Sequence, residues 1–112
     1  MTFSADGTFI LTASGDRTVR LWERATGAPV REFKGHTQDV LTVAFSPDGK
    51  YAVSGELDTL VLLWDIATGT PLVAFTGHTA PVISVTFSPD GRSVFTGSAD
   101  GIARRWSLPD GM

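Results

Sequence analysis

The chain has 112 residues, no more than one domain, and is 42% hydrophobic and 19% charged; its net charge of −3 offers no basic surface to nucleic acid or anionic lipid. It has no cysteine, which removes disulfides, thiol nucleophiles and thiolate metal sites together. The N-terminal MTFSADGTFI has no basic segment followed by an apolar core, so it does not read as a signal peptide, and no apolar run approaches a membrane span.

Taken in chain order, the sequence repeats with a period of 42 residues. Phe3–Ala44 laid over Phe45–Thr86 needs no gap, and 18 of the 42 positions are identical. A third copy begins at Phe87. The anchors recur in register: Phe3, Phe45 and Phe87; Asp16, Asp58 and Asp100; Trp22, Trp64 and Trp106; and the Gly-His pairs Gly35–His36 and Gly77–His78. A fixed period of this length marks a repeat architecture in which each unit buries its apolar face against a neighbour.

Within one period, DVLTVAFS alternates Val40, Thr42 and Ala44 against Leu41, Val43 and Phe45, the period of two expected of a strand. SPDG then makes a tight turn, in which Gly49 is free to take positive φ. KYAVSG is a second strand and ELD a second turn. TLVLLWD is a third strand, apolar on both faces and therefore expected to be covered on both. IATGTP is a loop hinged at Gly69, and LVAF a fourth strand. No segment reads as a helix. The expectation is an all-β chain of four-stranded antiparallel sheets.

The segment GHTQDVLTVAFSPDGKYAVSGELDTLVLLWD resembles a WD40 repeat over its whole length, and the likeness extends over essentially the whole chain. Trp22–Glu23 and Trp106–Ser107 depart from the Trp-Asp dipeptide at its second position, which varies widely in the family. The resemblance implies a partial β-propeller of nearly three blades. Residues 1–34 would form a blade lacking most of its inner strand, 35–76 a complete blade, and 77–112 a blade lacking its outer strand. A family ring usually closes with about seven blades. The C-terminus resembles a natural terminus and the N-terminus a cut, so the chain reads as the C-terminal part of a larger propeller or a truncated frame.

The resemblance also implies a hydrogen-bond relay in each blade: His36, Ser54, Asp58 and Trp64 in the second, His78, Thr96, Asp100 and Trp106 in the third, and Thr12, Asp16 and Trp22 in the first. A chain from Trp through Ser/Thr and His to Asp would satisfy each donor and acceptor in turn. His36 and His78 could instead be catalytic bases or metal ligands, but their fixed place in the repeat favours the relay. Asp16, Asp58 and Asp100 could suggest a carboxylate cluster, yet propeller geometry would hold them apart. No residue is assigned a catalytic, cofactor-binding or metal-binding role, and no cofactor is expected.

The resemblance implies protein partners, bound at the loops of one face. The candidates are Thr37, Asp39, Leu57, Thr79, Pro81 and Ala99, with Leu57 singled out as an apolar tip where the other copies carry Gly15 and Ala99. Glu56 and Asp39 would tint that face acidic. Arg105 stands where Leu21 and Leu63 stand, either covering apolar surface with its stem or touching a partner. The expected function is a non-catalytic interaction scaffold in the cytoplasm, binding neither nucleic acid nor membrane and able to self-associate through exposed blade faces. The alternative is a regulatory or sensor propeller appended to a bacterial kinase or nucleotide hydrolase lying outside the chain.

Overall fold

The computed structural model describes residues 2–4, 6–13, 17–34, 36, 39–57, 59–76 and 78–108. These form eleven strands and no helix, in agreement with the all-β expectation. The first sheet holds β1 (Thr2–Phe3), β2 (Phe9–Ala13), β3 (Thr18–Glu23) and β4 (Pro29–Lys34). The second holds β5 (Val40–Phe45), β6 (Tyr51–Glu56), β7 (Val61–Asp65) and β8 (Pro71–Phe75). The third holds β9 (Val82–Phe87), β10 (Ser93–Ser98) and β11 (Ala103–Ser107). Every sheet is a meander in which sequential strands pair antiparallel. β4 and β8 both open on a proline, which lacks a donor and is tolerated on an outermost strand.

The turn after each first strand is locked by its own side chains. Ser46 donates its hydroxyl to Asp48 at 2.6 Å and accepts the Tyr51 N–H, while Gly49 takes φ of 74°. Ser4 with Asp6 and Ser88 with Asp90 repeat the same contacts. The second turn is less comfortable. Arg17, Thr59 and Gly101 occupy equivalent positions with φ of 72°, 80° and 84°, and only glycine takes that region freely.

The sheets stack face to face, with β5 packed between β2 and β9. One apolar cluster joins Leu11, Val19, Leu21 and Phe33 of the first sheet to Val40, Val43, Ala52, Leu62 and Trp64 of the second. A second joins Val53, Val61, Leu63 and Phe75 to Val82, Val85, Phe87 and Val94 of the third. Successive residues of β7 thus serve opposite clusters, and all of Val61–Trp64 is buried, as its two-sided apolar pattern predicts. Burying each such side chain contributes about 1.5–3 kcal/mol. The outer-strand phenylalanines reach forward to the next tryptophan, Phe33 to Trp64 at 5.5 Å and Phe75 to Trp106 at 5.2 Å between ring centroids. Gly55 admits the third sheet, since a Cβ there would stand 2.5 Å from Val82 Cγ1.

Two expectations from the pattern are corrected. Leu41 does not share a buried stripe with Val43 and Phe45. A bulge between Val40 and Thr42 leaves Leu41 unpaired and turned outward, while Val40 and Val43 are both buried. Ile83 is displaced in the same way, by a register shift where Val82 pairs Ser98. Glu56 is not part of an exposed turn. It is the last residue of β6 and has no exposed surface, so it gives no acidic tint to the outside.

Candidate interaction face and the buried relay beneath it

In the second sheet the strands bring a continuous polar line into the apolar interior. Trp64 on β7 donates its indole N–H to Ser54 Oγ on β6 at 2.7 Å. Ser54 Oγ lies 2.5 Å from His36 Nε2, and His36 Nδ1 lies 3.2 Å from Glu56 Oε1. The only assignment that serves every atom has the Ser54 hydroxyl donating to Nε2 and the Nδ1 proton donating to the Glu56 carboxylate. Ser, His and Glu in this order also describe a nucleophile, a base and an orienting carboxylate. Here Ser54, Glu56 and both partner side chains are enclosed, and the serine oxygen already accepts the indole, so no substrate reaches it. Burial pushes the His36 pKa down, against a smaller upward pull from Glu56, and so favours the neutral ring that this line requires.

The third sheet repeats the first part of the line and not the last. Trp106 donates to Thr96 Oγ1 at 2.8 Å, and Thr96 Oγ1 lies 2.5 Å from His78 Nε2. His78 Nδ1 is buried with no hydrogen-bond partner among the described residues. The structure does not bring Asp100 to it. Asp100 instead accepts from Ser98 and from the Ile102 N–H at 3.1 Å, closing its own turn, and from Thr79 Oγ1 at 3.0 Å in the loop before β9. The His78 pKa is held down by burial, then by the Arg104 charge, against an upward pull from Asp100. In the first sheet Trp22 donates to Thr12 at 3.0 Å. Asp16 and Asp58 lie outside the described residues, as does Thr37. Among the described residues the carboxylate that meets His36 is Glu56, which stands where the other copies have Ser14 and Ser98. The signal for it in the sequence is a long acidic side chain where the other two copies carry serine.

The described candidate contact residues lie in the turns after β6 and β10 and in the entries to β5 and β9. The Leu57 N–H donates to the Asp39 carbonyl and the Ala99 N–H to the Pro81 carbonyl, both at 2.9 Å, tying each turn to the entry of the neighbouring inner strand. Asp39, Thr79 and Ala99 are exposed and Pro81 is half-buried. Leu57 is 45% exposed. The bulges add two apolar side chains that alternation concealed, Leu41 at 43% and Ile83 at 58%. Ile102, just before β11, is exposed at the same end. Arg105 is exposed on β11, its Nε 3.3 Å from Ser93 Oγ.

The profile of the WD domain, G-beta repeat family matches three segments, residues 1–23, 27–65 and 69–107. The chain belongs to the WD40 repeat family. The three sheets are accordingly blades of a partial WD40 propeller, and the ends of the matched segments track the 42-residue period. WD40 repeats commonly mediate protein–protein interaction. The relay accounts for the burial of polar side chains in a WD40 blade: Ser54, Thr96, His36 and His78 all lie inside, and in blade 2 each is hydrogen-bonded. Among the described residues no three His, Asp or Glu side chains converge to hold a metal ion, and no helix is long and apolar enough to cross a membrane.

Proposed function

We propose that this WD40 chain is a non-catalytic scaffold that binds a protein partner at the end of its blades carrying Leu41, Leu57 and Ile83. One observation carries the reading. Three apolar side chains are exposed on the packed inner strands β5 and β9 and in the turn after β6 that is tied to the entry of β5, on a backbone held by paired turns and a buried relay. Apolar residues on a rigid rim supply contact area at little cost in ordering entropy. Residues 1–34, 35–76 and 77–112 serve as three blade units. The outward faces of the first and third, with Phe3 at 50% and Phe95 at 43% exposure, are suited to stacking against further blades.

The test is affinity capture with the full chain followed by mass spectrometry, comparing Leu57→Asp and Ile83→Asp with Leu72→Asp. Leu72 is equally exposed but lies on the outer strand β8, away from the face. A partner retained by the wild type and by Leu72→Asp, and lost by the other two, is the expected result. Retention of every partner by Leu57→Asp and Ile83→Asp would remove this face from the function.

A further inference from the structure

One dipeptide departs from the repeat where the second strand of a blade ends. Blades 1 and 3 carry Ser14-Gly15 and Ser98-Ala99 there, and blade 2 carries Glu56-Leu57. Two small residues are replaced together by two long ones, one charged and one apolar. The structure sends them in opposite directions: Glu56 has no exposed surface, and Leu57 is 45% exposed. Successive side chains of an extended chain alternate in this way, so the interior can hold one residue while the other is displayed.

The inner residue is tied to the loop that enters β5. Its carboxylate accepts the His36 Nδ1 proton at 3.2 Å, and its backbone pairs with Val40, next to the bulge that turns Leu41 outward. The following N–H, from Leu57, reaches the Asp39 carbonyl at 2.9 Å. Glu56 also closes its own turn, donating its N–H to the Leu60 carbonyl at 3.0 Å and accepting the Thr59 N–H at 3.4 Å. Thr59 stands there at φ of 80°, a conformation that a β-branched residue keeps only where its surroundings hold it. Blade 3 holds the equivalent turn from within. Ser98 donates its hydroxyl to Asp100, Gly101 takes φ of 84° without strain, and His78 Nδ1 has no partner among the described residues. A carboxylate has no proton to donate, so Glu56 cannot repeat the Ser98 bond to an aspartate; it accepts from His36 instead.

We infer that Glu56 is the positioning residue of the Leu57 tip: its buried carboxylate, through His36, fixes the turn that displays Leu57 and the loop that leads into the Leu41 bulge. The inference rests on the reading of Leu57 as a partner contact, and it names what sets that contact in place. A leucine on an untethered turn leaves the partner to supply the entropy of ordering it. The tether removes that cost before binding. Blade 2 alone among the three copies carries both halves of the device, the inward acid and the outward leucine.

The experiment is native-state amide exchange, read by NMR on the full 112-residue chain. Glu56→Gln keeps an acceptor for the His36 proton, Glu56→Met fills the same space without one, and Glu56→Ser restores the residue of the other copies. The readout is the protection of the Leu57 N–H relative to the Ala99 N–H, the equivalent bond in blade 3, so that a uniform loss of stability lowers both. Glu56→Met and Glu56→Ser should lower this ratio by at least about tenfold, as expected of a lost buried bond to a charged group, and Glu56→Gln should stay within about threefold of wild type. The His36 Hδ1 proton should give a slowly exchanging resonance in the wild type, retained in Glu56→Gln and lost in Glu56→Met, a signature that space-filling alone would not move. An unchanged ratio in Glu56→Met or Glu56→Ser overturns the inference, and so does a fall in Glu56→Gln as large as that in Glu56→Met. Rapid exchange of Hδ1 in the wild type overturns it without any variant having to fold. No partner enters the measurement, so its failure is distinct from failure of the interaction face, which Leu57→Asp decides by capture.

Discussion

Replacing Trp64 by phenylalanine tests how much of the blade's stability rests on the buried relay. Trp64 has no exposed surface and is packed by Phe33 and by the His36 ring, 5.9 Å away between centroids. Phenylalanine removes the indole donor, leaving Ser54 Oγ with the histidine alone, a loss of about 1 kcal/mol. It also removes ring atoms from an enclosed site, leaving a void that costs about 1–2 kcal/mol more. The sum is about 2–3 kcal/mol. Trp106→Phe removes the equivalent bond to Thr96, but Trp106 is only half-buried, so water can serve the orphaned oxygen and fill the space. Its cost should be about 1 kcal/mol. At about 4–8 °C per kcal/mol for a domain near this size, the two variants should differ in Tm by several degrees. The assay is urea and thermal unfolding followed by far-UV circular dichroism, on both variants under the same conditions. Equal losses for the two, or a loss below about 1 kcal/mol for Trp64→Phe, would refute the claim that an enclosed relay is what distinguishes blade 2.

Gly55→Ala should destabilise the chain by about 1–3 kcal/mol in the same unfolding assay, because the new methyl meets Val82 Cγ1 at 2.5 Å in a packed interface. Gly97→Ala should cost less than about 1 kcal/mol, since its nearest neighbour is the exposed Ser84 hydroxyl, which can turn away. Thr59→Gly should stabilise by about 1 kcal/mol, relieving a β-branched residue held at φ of 80° where the third copy uses Gly101; an unchanged urea midpoint would deny that strain. Acid should act in two stages. Burial holds the His36 and His78 pKa values below 6.5, so the unfolded chain takes those protons first and stability falls as the pH drops below that value. Serine hydroxyls hold the Asp6, Asp48, Asp90 and Asp100 pKa values below 3.8, so their contribution is present above that value and is lost as the pH falls further, through their lowered values. Urea midpoints measured from pH 7 to 3 should show both declines, and a flat midpoint between pH 7 and 5 would contradict the first.

The repeat and the strands were legible in the residues themselves, and the tryptophan–hydroxyl–histidine part of the relay in their resemblance to WD40 repeats. Strand alternation, the Ser-x-Asp-Gly turn and the two-sided apolar run of β7 are local properties, and the 42-residue period carries each from one copy to the next. Where that pattern breaks depends on strand pairing and packing. The bulge residues Leu41 and Ile83 look like ordinary members of an alternating strand, and only the pairing with β6 and β10 turns them outward. Glu56 reads as a turn residue, yet the histidine brought over it from the start of the blade gives its carboxylate a buried donor. Asp100 matches its counterparts in the repeat but spends its acceptors on its own turn and on Thr79, leaving His78 Nδ1 without a partner among the described residues. In each case the outcome depends on groups brought together from distant parts of the chain, and neither alternation nor repeat spacing specifies those meetings.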